Sequence, residues 1–475
     1  MKKILSLVLC VLLLCTGFSG CGAADSGKVV VCFDVSVSSD RQEIDSFLRW
    51  LDFCNTYLEL SISSEDVEVE LIPVGVDPAE RSTALQRLRA EIMAGRGPDV
   101  FVCFDFNSGL PEGEFPYNQP LFPFVEKMRE SGVFLPLDQD LPNLTITRTD
   151  EMVPQVLESG KNQKGEQVIL PMAFSVPGVI YADWLGEELP QCDFEGTSWN
   201  DVLQGDDPFL REQVNWALHY TNEIFYEDSY GYHILGSHSS GLFLLFPQVA
   251  DYETEELCVS EEELSSIIKD SIAAYRRVIE QGEAYLGSSM YINADSLFGR
   301  GSLPTTNDMA EWDYSFAPLR NLESGSTAVV TQYCAVNANT DKKEKALAVI
   351  DALMCREFQK GGLLYQNFEE MPMYPDLLAP GTSYLDWRLE FTEEQYDMWR
   401  RICEDINIVR FPSPVDAELD AMMTDIEDKM TESLPADVPR YPRDERLADC
   451  TIADEELERI VSEHYQTMQR LLDES

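Results

Sequence analysis

Between residues 28 and 102 the chain alternates short apolar runs with helical patterns, and this alternation limits its fold more than any other feature. Lys28 to Phe33 is almost wholly β-branched or aromatic, which predicts a strand buried on both faces. Ile44, Phe47, Leu48, Leu51, Cys54 and Leu58 then follow at helical spacing and give one apolar face. Val67 to Val74 starts with apolar and acidic residues in alternation and becomes continuous, a second strand. Asp77-Pro78 opens the next helix, with a capping acceptor ahead of a proline at the first helical position. That helix turns Leu85, Leu88 and Ile92 inward and stops at Gly95, and the turn Gly97-Pro98-Asp99 feeds a third buried run, Val100-Phe101-Val102. Strands and helices in this order predict an α/β fold, a parallel sheet with helices on both faces.

The front of the chain bears on compartment. Lys2 and Lys3 precede an apolar run from Ile4 to Leu14, a signal-peptide pattern too short for a hydrocarbon core that needs roughly 20 helical residues. Ser19-Gly20-Cys21 resembles the lipobox of bacterial lipoproteins, although Phe18 stands where leucine is usual. The resemblance implies a leader over residues 1–20, a diacylglyceryl thioether on Cys21 and a tether over 21–27. The expected location is the outer face of the cell membrane in a Gram-positive-type envelope. A net charge of −50 repels phosphate backbones and anionic lipid, so no nucleic-acid partner is expected. Nine cysteines lie beyond Cys21 at irregular spacing, and Cys32, Cys103 and Cys334 sit inside apolar runs, which suits buried thiols better than a disulfide framework.

Several motifs in fixed order then carry a family resemblance. The helix ending in Ala94-Gly95-Arg96-Gly97-Pro98-Asp99 resembles a signature of extracellular solute-binding proteins of carbohydrate ABC importers. Gly132-Val133-Phe134-Leu135-Pro136-Leu137-Asp138 is similar to the family's G-x-L-x-P-L-D loop, and Ile169-Leu170-Pro171 with Gly178-Val179-Ile180-Tyr181 to its paired strands at the first change of lobe. Ser198-Trp199-Asn200-Asp201 resembles T-W-x-E, Phe298-Gly299-Arg300-Gly301 resembles F-x-x-G, and Lys345 to Gln359 resembles the helix ending F-x-x-x-E-x-Q. The resemblance implies a two-lobed type II periplasmic-binding-protein-like fold, each lobe a mainly parallel sheet flanked by helices, with a helical C-terminal part. Lobe one is expected over 28–174 and 328–372, lobe two over 175–327 and 373–475. From Phe391 onward the pattern is helical, interrupted by a proline-rich loop from Pro435 to Pro442. Two departures bear on the ligand: Ser302-Leu303-Pro304-Thr305 replaces the family's usual Lys-Ala-Ala-Met, and residues 205–290 match no motif.

The implied function is capture of a small solute, an oligosaccharide, by hinge closure and its delivery to ABC permease subunits by a monomer. A surface sensor or adhesin of the same fold, or a peptide- or metal-binding importer component, are the alternatives. Sugar recognition needs aromatic faces for C–H surfaces and planar polar groups for hydroxyls. Positions just past strand ends supply Asp34, Phe104, Asp105 and Phe174 as ligand-binding candidates. Trp312 lies near the place of the family's stacking tryptophan, Tyr333 lies near the return crossing, and Tyr117 sits in a proline-flanked loop. Core packing, for the aromatics, and helix capping, for the aspartates, are the competing roles. The stretch with Trp216, Phe225, Tyr226, Tyr230 and Tyr232 suits helix core as well as a cleft wall. His219, His233 and His238 fit no helical ligand pair, so no metal is expected and no cofactor either. The chain has no G-x-S-x-G, P-loop or H-E-x-x-H motif, and no enzyme is expected.

Overall fold

The computed structural model describes residues 27–34, 41–72, 78–104, 120–176, 178–182, 249–252, 254–281, 290–293, 314–318, 320–321, 323–361, 371–382, 391–432 and 451–474. Its first half contains β1 (Val29–Asp34), α1 (Arg41–Tyr57), β2 (Val67–Leu71), α2 (Pro78–Met93), β3 (Val100–Phe104), α3 (Val125–Glu130), β4 (Leu170–Ser175) and β5 (Gly178–Ala182). Then follow β6 (Ala250–Asp251), β7 (Glu256–Leu257), α4 (Glu261–Gln281), β8 (Met290–Asn293), β9 (Tyr314–Pro318), β10 (Ser326–Val336) and α5 (Lys343–Met354). The chain ends with β11 (Met371–Pro372), α6 (Glu393–Asp405), β12 (Ile406–Arg410), α7 (Pro414–Thr431) and α8 (Asp454–Glu474). No described helix is long and apolar enough to cross a membrane.

The large sheet runs β11-β4-β10-β3-β1-β2, with β12 also paired to β10. As the alternating sequence predicts, β1 pairs parallel with both β2 and β3. Beyond β3 the pairing turns antiparallel, to β10 and on to β4 and β11. A second sheet, β8-β5-β9, is antiparallel throughout. The sheets are therefore more mixed than the expected mainly parallel ones. The reason is topological: β4 leads straight out of the large sheet into β5, and β9 leads back into β10, so the returning strand β10 lies between β3 and β4 and runs opposite to both.

The glycine-rich turn before β3 braces the end of the sheet where β1 and β3 begin. Gly95 and Gly97 take φ of +69° and +100°, the left-handed region that favours glycine. Asp99 Oδ2 accepts the Val30 N–H at 2.8 Å and its Oδ1 accepts the Thr340 hydroxyl at 2.6 Å. Asn337 Nδ2 donates to the carbonyls of Arg96 and Pro98 at 3.1 and 2.9 Å. The motif thus fastens β1, the α2–β3 turn and the end of β10 together. The loop after Gly132 adds an antiparallel bridge from Phe134 to Asn337, and Phe134 packs edge-on against both Phe101 and Phe122.

Among the described residues there are two separate hydrophobic cores. The first surrounds the large sheet and contains Phe47, Leu51, Leu85, Leu88, Phe101, Val330, Val349 and Leu353. It also takes in Met373, Tyr374, Phe391, Trp399, Ile402, Ile406 and Phe411, from the stretch expected in lobe two. Two contacts hold this stretch to the large sheet: β12 pairs parallel with β10, and the indole of Trp399 stacks on Phe174 at 5.8 Å and 23°. The second core lies among α4, α7 and α8, with Leu264, Ile268, Leu419, Met422, Ile426, Leu457, Val461 and Met468. The described cysteines are thiols; Cys32, Cys54, Cys103, Cys334, Cys355 and Cys403 are buried and Cys258 is exposed.

Candidate functional site

The ends of β1 and β3 place Asp34 and Phe104 at one margin of the large sheet, opposite the glycine-rich turn. In the register, Asp34 lies beside Cys103, Cys103 beside Tyr333, and Phe104 beside Gln332. Gln332 in turn lies beside Ala173, and Val330 beside Phe174. Four sequence candidates, Asp34, Phe104, Tyr333 and Phe174, therefore share one band across β1, β3, β10 and β4.

Three of the four side chains are engaged within lobe one. Asp34 is wholly buried; its Oδ1 accepts from Arg81 Nη2 at 2.8 Å and its Oδ2 accepts the Leu121 N–H at 2.5 Å. Burial drives this carboxyl up from the usual range, against the pull of the Arg81 guanidinium and the Leu121 N–H. Tyr333 is buried, meets Phe411 edge-on at 5.8 Å and hydrogen-bonds the Cys103 thiol; burial pushes both groups well up. Phe174 lies under Trp399. Tyr117, Asp105, Trp312 and the lipidation candidate Cys21 lie outside the described residues, as do the aromatic stretch 216–232 and His219, His233 and His238.

Sequence reasoning missed the arginines that organise this margin. Arg81 stands four residues before Leu85 on α2, so the stripe that carries Leu85, Leu88 and Ile92 inward also carries its guanidinium to Asp34. Its position on that stripe is the signal that was there to read. Arg89 Nε donates to the Leu121 carbonyl at 3.0 Å and its Nη2 to the Pro120 carbonyl at 2.6 Å. Together Asp34, Arg81 and Arg89 clamp residues 120–121, where the chain rejoins the described structure after the segment containing Asp105 and Tyr117. Chemically this is a positioning network of hydrogen-bonded buried charges. Among the described residues no His, Cys, Asp and Glu group could hold a metal ion.

No family model matches the sequence, and no curated protein matches it either. Solved structures do match in three dimensions. An extracellular solute-binding protein of family 1 from Alicyclobacillus acidocaldarius superposes with a TM-score of 0.52 at 12% identity, covering 93% of this chain and 98% of that one. The chain has the solute-binding-protein fold. A periplasmic oligogalacturonide binding protein from Yersinia enterocolitica gives 0.50 at 13% identity over 94% and 100% of the two chains. A de novo designed cysteine esterase gives 0.51 at 10% identity over 94% and 99%. In the solute-binding fold two α/β lobes are joined by crossing strands, which here are β4 to β5 and β9 to β10.

Proposed function

We propose that the chain is a lipid-anchored extracellular substrate-binding protein that encloses a small solute of the oligosaccharide class and presents it to an ABC permease, without catalysing a reaction. The observation that carries the reading is the fold likeness to an extracellular solute-binding protein over 93% of the chain. The oligogalacturonide binder of the same fold supports a sugar ligand, and the lipobox-like Ser19-Gly20-Cys21 supports the anchor. In this reading the ligand lies between the margin that carries Phe104 and the antiparallel sheet of β5, β8 and β9. Asp105, Tyr117 and Trp312 are its proposed contacts. Asp34, Arg81, Tyr333 and Phe174 hold the wall from behind. Closure is driven by contacts the ligand makes in the closed form alone, and full reversal of an open-to-closed population takes on the order of 5.5 kcal/mol.

A thermal-shift panel of neutral and acidic oligosaccharides on the purified chain tests this. A ligand that binds only the native state raises the melting temperature with concentration. A rise with one oligosaccharide class and unchanged sugar after incubation is the expected result. A flat response to every sugar, or shortened products, overturns it.

A further inference from the structure

The chain has four histidines, and His464 is the only one among the described residues. It sits on α8 facing α7, with Nδ1 2.7 Å from Glu418 Oε1 and Nε2 3.0 Å from Asp425 Oδ2. Glu418 and Asp425 are seven residues apart, two turns along one face of α7, so a single ring spans both. An ionised carboxylate only accepts, and a neutral imidazole has one N–H to give. Both contacts are hydrogen bonds at once only when the ring is an imidazolium. The seam is otherwise apolar apart from Lys429 against Glu456 at 3.8 Å, with Leu419, Met422 and Ile426 against Leu457, Ile460 and Val461.

Other charges around α8 pair with one another. Lys269 of α4 meets Glu458, Arg459 meets Glu456 and Glu463, and Lys429 of α7 meets Glu432 and Glu456. At its far end α8 reaches lobe one. Lys127 of α3 donates to the Leu472 carbonyl and also meets Glu255, both at 2.8 Å, and Gln469 donates to the Glu255 carbonyl at 2.7 Å.

We propose that His464 is an acid-set clamp: as an imidazolium it pins α8 across α7, and its deprotonation loosens α8 together with the seat of that helix on α3. Burial is the largest single influence and opposes protonation, but the hydrogen bonds and charges of Glu418 and Asp425 together raise the group above its ordinary value. The clamp is therefore fully present below the unfolded value of about 6.5 and is lost as pH rises through the higher folded value.

The test is amide hydrogen exchange on the full purified chain at about pH 5.5 and about pH 8.5, corrected for intrinsic rates, with the His464 ring titrated by NMR. Residues 454–474 should lose protection several-fold more than β1 and β3 do on going to the higher pH, and His464→Gln should abolish that difference. Asp425→Asn, at a carboxylate 62% exposed, leaves the packing intact and should lower the ring's titration midpoint. The same pH response in H464Q, a native ring titrating at or below its ordinary value, or a midpoint unmoved in D425N overturns the clamp.

Discussion

The two cores are held by different physics. Around the large sheet, buried side chains bond to the backbone of distant segments: Asp99 to Val30, Asn337 to Arg96 and Pro98, and Asp351 to the N–H groups of Thr145 and Thr147 at 2.5 and 2.8 Å. The helical core of α4, α7 and α8 is rich in methionine and is tied by charges, outward through Arg410 to Asp416 and Lys127 to Glu255 and internally through His464 to two carboxylates. Both regions hold ionisable groups, Asp34 against Arg81 in the first and Asp416 against Arg410 in the second, but the first leans more on bonds to backbone. Side chain-to-backbone bonds thus brace the large sheet, and contacts between charged side chains brace the helical core.

The largest effect expected comes from breaking a buried ion pair in either region. Arg81→Ala strands Asp34 within lobe one, and Arg410→Ala strands Asp416 on α7; each should cost about 3 to 5 kcal/mol in denaturant unfolding. Hydrogen exchange separates them: R81A should expose amides of β1 and α2, R410A those of β12 and α7. A common pattern of exposure would erase the distinction between the regions.

A smaller effect sharpens the comparison through pH. Glu126 on α3 is held up to about 7, mainly by burial and then by Asp416 and Asp251, while Arg129 and Arg410 pull the other way. A carboxyl raised in the folded state stabilises while protonated, so stability falls as pH rises from about 4.5 through about 7. Glu126→Gln should flatten that part of the stability profile, by up to about 3 kcal/mol above neutrality. A profile unchanged by E126Q removes Glu126 from the pH response. The smallest effect is at Lys127, whose partner Glu255 is half in water. Lys127→Ala should cost under about 1 kcal/mol and less still in high salt.

How legible the molecule was depends on how local each feature is. The strand and helix order from Val29 to Phe104 was readable because burial on both faces, helical spacing and the Asp77-Pro78 start are written within a few residues. The place of Phe391 to Phe411 was not: it rests on β12 pairing with β10 some eighty residues earlier, and a helix followed by a short strand fits either lobe. Asp34, Phe104 and Phe174, at or near strand ends, lie in one band across the large sheet. Which of them face a cleft and which pack within the lobe was not legible, because burial depends on Arg81, Leu121 and Trp399, residues remote in sequence from those they cover. The His464 clamp was invisible for the same reason, its partners lying 46 and 39 residues away.

Small-angle X-ray scattering of the purified chain, with and without an oligosaccharide that raises its melting temperature, reads closure of the two lobes. Two lobes that shut on a solute give a smaller radius of gyration on saturation. An unchanged radius with the ligand bound would contradict closure.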